Sequence, residues 1–387
     1  MALTTAQRAA VEAFRAMDVL AAANKLEAEG RSILHLEVGQ PAAAAPPVVV
    51  AAAQACLARG RIGYTDALGT PALRQALADH YREIYGQQVD PGRIAVTAGS
   101  SGGFLLSLLA AFDPGARIGL AAPGYPAYKN LAIALGLEPV FLPTTAADHY
   151  QPSAAQITAY PERLDGLIVA SPSNPTGTML APEALKDLAA ACRARGTRLI
   201  SDEIYHGITY GPTAHSLATE PDVIVANSFS KYYCMAGWRL GWLVLPEDLV
   251  RPLERLAQSL FISASELAQA AGLAALTARA DLDQIVAGYR INRDLLVAGL
   301  PQLGLSGFLP SDGAFYLYLD VSHLTNDSSQ LCSDLLQQAG VAVTPGLDFD
   351  PAEGKRTLRL SYAGARETME AALERLGGWL ETRSTAR

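Results

Sequence analysis

The sequence predicts an α/β fold, with a mostly parallel seven-stranded sheet flanked by helices and a smaller α+β unit beside it. Three observations predict it. Short β-branched or aliphatic runs alternate with helix-length amphipathic segments through the middle of the chain. Most of these runs are apolar throughout, as strands covered on both faces are. Towards the C-terminus the pattern changes to one long helix and a few isolated strands.

The strand runs are, in order, RIAVTAG (93–99), RIGLAA (117–122), PVFLP (139–143), GLIVASP (166–172), RLISDEI (198–204), DVIVANSF (222–229) and LGWLVLP (240–246). Between them the residues at 101–111, 127–135 and 182–195 read as helices, the last with Pro182 at its start and Gly196 just past its end. Residues 282–300 read as one long helix, and FYLYLD, GVAVTP and TLRLSYA as strands of the smaller unit. The expected division is a large domain over 46–285 and a small domain built from 1–45 and 286–387. No Ser/Gly-rich linker or repeat separates them, and only AAAA at 42–45 is locally simple. A ligand cleft is expected where the two units meet.

Composition narrows the function. A chain of 387 residues, 50% hydrophobic and 18% charged, can bury a large core and is not of disordered type. The longest apolar windows are of strand length, and the N-terminus lacks a basic region followed by an apolar segment, so a cytoplasmic location and no membrane association are expected. Cys56, Cys192, Cys234 and Cys332 lie far apart with no CxxC pair, which points to apolar fillers rather than a metal site or disulfides. The six histidines have no metal-like spacing; His206 beside Tyr205 reads as a local hydrogen-bond partner. A formal charge of −8 without any Lys/Arg cluster argues against nucleic acid and for a small-molecule partner.

Ligands of α/β sheets gather beyond the carboxyl ends of the strands. There the sequence sets Ser100 and Ser101, Tyr125, Asn174, Asp202 with Tyr205, and Ser228 to Lys231. Lys231 follows an apolar strand ending in SFS. Desolvated, it would be a neutral amine able to form a Schiff base with an aldehyde; otherwise it is a solvated loop lysine. Its neighbours supply a place for a dianion: the hydroxyls of Ser228 and Ser230, the fork of Arg239, and GSSGG at 99–103 leading into a helix. Ser100 or Ser101 could equally cap that helix. A Schiff-base lysine beside a phosphate pocket suggests pyridoxal 5′-phosphate, an electron sink once its ring nitrogen is protonated. Asp202 could hold that nitrogen, and Tyr205 with Asn174 the phenolic oxygen. Each also has a plain reading, as a turn cap, a core aromatic or a turn former.

SPSNPTG, ISDEIY and SFSKYYCMAGWRLGW, in this order, resemble the fold-type I pyridoxal-phosphate aminotransferases of classes I and II. The likeness extends through YTDALGTPALRQALA, TAGSSGG, PGYPAY, GAFYLYLD and TLRLSYA, over most of the chain. It implies an aspartate aminotransferase-like fold and a homodimer with active sites at the subunit interface. Lys231 would be the covalent anchor and proton shuttle, with Asp202 and Tyr205 completing the catalytic set. Tyr125 would stack on the cofactor ring, and Gly99, Ser100, Ser101, Ser228, Ser230 and Arg239 would hold the phosphate, joined by Tyr64 of the neighbouring subunit. Arg359, assisted by Asn174 and the backbone at Gly39, would grip the substrate α-carboxylate.

The reaction so implied is ping-pong transfer of an amino group from an L-amino acid to a 2-oxo acid. Ser101 stands where some aspartate-using relatives carry lysine, which speaks against a dicarboxylate substrate. EAFRAMDVL brings Phe14 and Met17 either to the substrate side chain or onto a core-facing helix stripe. Two rival readings use the same residues: a β-elimination lyase of sulfur amino acids, and a cofactor-binding regulator, which would need a DNA-binding domain besides.

Overall fold

The computed structural model describes residues 3–385. The strands of its main sheet are β2 (Ile94–Thr97), β3 (Arg117–Ala122), β4 (Glu138–Pro143), β5 (Gly166–Ala170), β6 (Arg198–Asp202), β7 (Ile224–Ser228) and β8 (Gly241–Val244), with β1 (Leu34–His35) preceding them in the chain outside this sheet. Their spatial order is β2-β8-β7-β6-β5-β3-β4, and β8 alone runs antiparallel to its neighbours. All seven predicted runs form this sheet.

Successive residues of the inner strands enter opposite cores, which is why the runs carry no polar alternation. Leu167 and Val169 pack in one cluster and Ile168 in the other; Leu199 and Ile200, and Val225 and Ile224, divide likewise. Each such side chain contributes about 1.5–3 kcal/mol of burial. The helices that cover the faces include α2 (Pro47–Ala58), α3 (Pro71–Tyr85), α4 (Gly99–Ala111), α5 (Pro126–Ala134), α6 (Ala154–Ala159), α7 (Pro182–Arg195), α8 (Glu247–Leu260) and α9 (Glu266–Ala275), whereas α1 (Arg15–Ala28) packs on the smaller unit. Helix α7 begins at Pro182 and stops at Gly196, whose φ of 66° is the left-handed cap that glycine adopts freely.

Beyond α10 (Arg279–Gly299) the chain forms β9 (Tyr316–Asp320), α11 (Ser328–Asp334), β10 (Val341–Ala342), β11 (Thr344–Pro345), β12 (Thr357–Ser361) and α12 (Arg366–Thr385). The run GVAVTP, expected as one strand, is two: β10 pairs with β1 in parallel, whereas β11 pairs with β12. Val343 lies between the two pieces, which join different sheets. The order β11-β12-β9 is antiparallel and sets Arg359 between Tyr318 and Thr344. No helix among the described residues is long and apolar enough to cross a membrane.

Two predicted boundaries move in a way that matters. Strand 93–99 ends at Thr97, because Gly99, at φ 72°, already opens α4. Strand 198–204 ends at Asp202, so Glu203 to Tyr205 turn away across the strand ends.

Candidate active site

A cleft of about 230 Å³ opens beyond the carboxyl ends of β5, β6 and β7. It is lined by Gly39, Ser100, Ser101, Tyr125, Asn174, Asp202, Tyr205, Ser230, Lys231, Arg239 and Arg359, all singled out from sequence. Ser228 and Gly99 stand immediately behind this lining. Ser228 Oγ is 2.8 Å from Ser230 Oγ, and a Cβ on Gly99 would come 2.5 Å from Arg239 Nη2. Tyr64 is not brought here: it is 82% exposed on the outside of this chain.

Lys231 follows β7 and sends its ammonium into the cleft, where Nζ donates to the Gly39 carbonyl at 2.5 Å. Burial lowers its pKa to about 8; Arg359 and Arg239 push the same way and Asp202 opposes them. It is not a solvated loop lysine.

Asp202 ends β6 and is 3% exposed. Desolvation raises its pKa to about 6, against the pull of the Tyr128 hydroxyl, which donates to Oδ2, of the Ile204 amide and of Lys231. At neutral pH it is therefore largely a carboxylate. Tyr205 Oη lies 2.8 Å from Tyr316 Oη, and burial drives the Tyr205 phenol well above its ordinary pKa.

Arg359, 2% exposed, is sandwiched between the rings of Tyr316 at 4.5 Å and Phe349 at 4.8 Å. Nη1 donates to Asn174 Oδ1 at 3.0 Å, and Nη2 donates to Thr344 Oγ1 at 3.2 Å and to the Glu37 carbonyl. Nε, buried, has no partner among the described residues. A guanidinium carries five donors, so an acceptor is still wanted here. Although it sits on a strand, Arg359 is thus held inside rather than towards solvent.

The donor set fits pyridoxal phosphate. Helix α4 opens at Ala98 without a side-chain cap, so neither Ser100 nor Ser101 is the cap they could have been, and the first-turn amides are left for an anion to accept from. Arg239 is held there at φ 53°, a costly conformation for a non-glycine residue, with Nη1 on the Ala236 carbonyl at 2.9 Å. Any side chain on Gly99 would fill the cradle between that guanidinium and the helix start. Three cations against one carboxylate leave the cleft electropositive, as a phosphate and a substrate carboxylate require.

Sequence reasoning assigned no role to Tyr128 and Tyr316. Tyr128 lies three residues beyond Tyr125, hence on the same helical side, and that spacing was the available signal. Phe14 and Met17 both line the cleft, Phe14 edge-on to Tyr125 with ring centroids 6.0 Å apart. His206 has the local role expected of it. Its Nε2 is 3.0 Å from the Ser171 carbonyl and so donates, leaving Nδ1 to accept from Tyr85 Oη at 2.9 Å. The four cysteines are buried and free.

Residues 31–376 match the family model of aminotransferase class I and II. The chain is 46% identical over 381 residues to the valine–pyruvate aminotransferase of Mycobacterium tuberculosis, spanning 97% of this chain and 98% of that one. It is 34% identical over 365 residues to the aspartate/prephenate aminotransferase of Thermus thermophilus, spanning 92% and 93%. Among solved structures, an aminotransferase from Mycobacterium tuberculosis superposes with a TM-score of 0.96 at 45% identity, over 98% of this chain and 100% of that one. Aspartate aminotransferase from Thermus thermophilus with maleate gives 0.92 at 32% identity, over 97% and 100%.

Proposed function

We propose that this chain, which belongs to the class I and II aminotransferases and is a transaminase, takes its amino group from a neutral aliphatic L-amino acid and uses Lys231 as covalent anchor for pyridoxal phosphate. The observation that carries the reading is one cleft holding a lysine of lowered pKa, a buried carboxylate, an uncapped helix start beside Arg239, and Arg359 with an unpaired donor.

Pyridoxal phosphate, when bound, supplies an electron sink for the charge that develops at the substrate Cα. The α4 amides, Ser100, Ser101, Ser228, Ser230 and Arg239 would hold its phosphate, Asp202 its ring nitrogen, Tyr125 its ring face, and Tyr205 with Asn174 its phenolic oxygen. Asp202, an anion stabilised by the Tyr128 hydroxyl, would favour a proton on that nitrogen. Arg359 orients the substrate by its α-carboxylate, and the carbonyl at Gly39 lies beside the amine. Once the substrate amine has displaced it, Lys231 Nζ, its basicity already lowered by burial, would take the Cα proton. The order is ping-pong, the first 2-oxo acid leaving before the second binds.

The aliphatic preference rests on the lining. Its cations are Lys231, Arg239 and Arg359, all with a use already, and the remaining wall includes Phe14, Met17, Leu131 and Ile204. The name of the 46% identical relative, a valine–pyruvate aminotransferase, agrees with that wall. A homodimer is supported by exposed apolar side chains gathered on adjoining segments: Val48, Val50 and Leu57 of α2, Ile62 and Tyr64 after it, and Leu260, Ile262 and Leu273 around α9. Tyr64 would reach the partner's phosphate site from there. The cytoplasm is the proposed location.

The test is the visible absorption of cofactor-loaded protein, recorded after each of a panel of L-amino acids with no oxo acid present. The band is expected to be lost with valine and to return on adding pyruvate, and Lys231→Ala should abolish both changes. Ammonia release without any need for an oxo acid would make the protein a lyase instead, and no response to any amino acid would refute the reading.

A further inference from the structure

The wall formed by Phe14 and Met17 needs a support, because residues 3–13 are exposed throughout. Two sets of bonds hold this strap. On the α5 side, Glu12 Oε2 meets Lys129 Nζ at 2.7 Å, and the Glu12 carbonyl accepts from Asn130 Nδ2 at 3.1 Å. On the other side the carboxylate of Asp348, 7% exposed, accepts from the amides of Arg15 at 2.9 Å and Ala16 at 2.8 Å. These are first-turn amides of α1, and Phe14 at the cap position has no oxygen to offer them. A residue 332 positions away therefore serves as the cap of α1 and fixes the angle at which Phe14 and Met17 enter the cleft.

We infer that Asp348 is a positioning residue for substrate discrimination: by capping α1 it holds Phe14 and Met17 against the substrate side chain, favouring branched aliphatic amino acids over small ones. The inference rests on the transaminase reading and adds the residue that sets its selectivity. Its alternative is written into the same turn, since Phe349, the next residue, lies under the Arg359 guanidinium. The two act differently on substrates. Disturbing Arg359 weakens every amino acid alike, because all share the α-carboxylate. Loosening the strap weakens only side chains long enough to touch Phe14 and Met17.

The experiment measures single-turnover half-reactions of cofactor-loaded wild type, Asp348→Ala and Asp348→Asn with valine and with alanine, together with cofactor content. Asp348→Ala is expected to lower the rate constant over Kd for valine about fivefold, the fold-change that corresponds to one lost helix cap, and to leave alanine within about twofold. Asparagine keeps one acceptor and should recover part of the loss. Phe14→Ala should show the same selectivity change and add little in combination with Asp348→Ala, since both remove one wall. Equal falls for valine and alanine, or an unchanged ratio, would overturn the inference. Should the alanine variant not fold, the ratio in Asp348→Asn decides. A wild type inert towards every amino acid would remove the transaminase reading itself, and this inference with it.

Discussion

Removing one hydroxyl, in Tyr128→Phe, isolates the control of Asp202. The ring can stay where it is, packed on Phe104 at 5.0 Å and edge-on to Tyr125 at 5.3 Å, so the fold should hold. What disappears is the donor to Asp202 Oδ2, the largest of the influences that keep this buried carboxylate's pKa from rising above about 6. A hydrogen bond to a charged group contributes about 1.5–3 kcal/mol, and one pH unit corresponds to 1.36 kcal/mol, so the loss should raise the Asp202 pKa by about 1 to 2 pH units. In the variant Asp202 would be largely protonated at pH 7 and poorly able to hold a protonated ring nitrogen. The assay is the pH profile of kcat/KM with valine and pyruvate on fully cofactor-loaded enzyme. Its acid limb should move to higher pH, with activity approaching wild type on the alkaline side. A uniform fall at every pH, or an unmoved limb, would refute the assignment of Tyr128 as the group that keeps Asp202 ionised.

Arg359→Ala removes a buried charge from between two rings and should cost about 3–5 kcal/mol in kcat/KM, roughly 10²- to 10⁴-fold, while cofactor content stays unchanged; equal loss of cofactor would move Arg359 out of the substrate site. Gly99→Ala puts a methyl group 2.5 Å from Arg239 Nη2 at a φ of 72° and should weaken cofactor binding in a loading titration, with the α-carboxylate grip spared. Glu203 is fully buried, and desolvation raises its pKa to about 8 against bonds from the Leu217 amide and the hydroxyls of Ser216 and Ser201. Between about pH 5 and 8 the folded state thus keeps a proton that the unfolded chain has lost, and stability falls as pH rises across that window. His80 and His206, held neutral by burial, act in the opposite sense below about pH 6.5, so Glu203→Gln should flatten the fall in Tm between about pH 7 and 8, where Glu203 dominates; an identical slope there in the variant would mean Glu203 is ionised in the fold.

The sheet was legible because its strands are buried on both faces, a condition that writes itself as uninterrupted Val, Ile and Leu. The split of GVAVTP was not, since each half is apolar whichever sheet it joins. Lys231, Asp202 and Arg239 were legible from the apolar strands and loops that carry them, Arg359 only through the family resemblance of TLRLSYA, and in the structure all four share one cleft. Tyr128 and Tyr316 were not, because a tyrosine in an apolar run reads as core until the partner of its hydroxyl is known. Asp348 was illegible for a further reason: the amides it caps lie at the other end of the chain, and no local pattern records a contact over that separation.

The segment Asp202 to His206 shows how one short run serves two environments. Asp202 and Tyr205 face the cleft, whereas Glu203 turns to Ser216 and the Leu217 amide, and His206 to Tyr85 and the Ser171 carbonyl. Burial acts on all four, with opposite results for function. Asp202 keeps its charge at neutral pH because Tyr128, an amide and Lys231 stabilise the anion. Glu203 has neutral donors and the like charge of Asp202 beside it, and so holds its proton; His206, its pKa lowered to about 3, stays uncharged. The back of the segment can therefore be anchored without adding charge, and the single ionised carboxylate is left facing Lys231, where a protonated ring nitrogen needs it. Reversing the assignment, with Glu203 charged and Asp202 neutral, would put the anion on the wrong side of the strand end. Adjacent acidic residues in such a turn are thus separated in role by what each can accept from its neighbours.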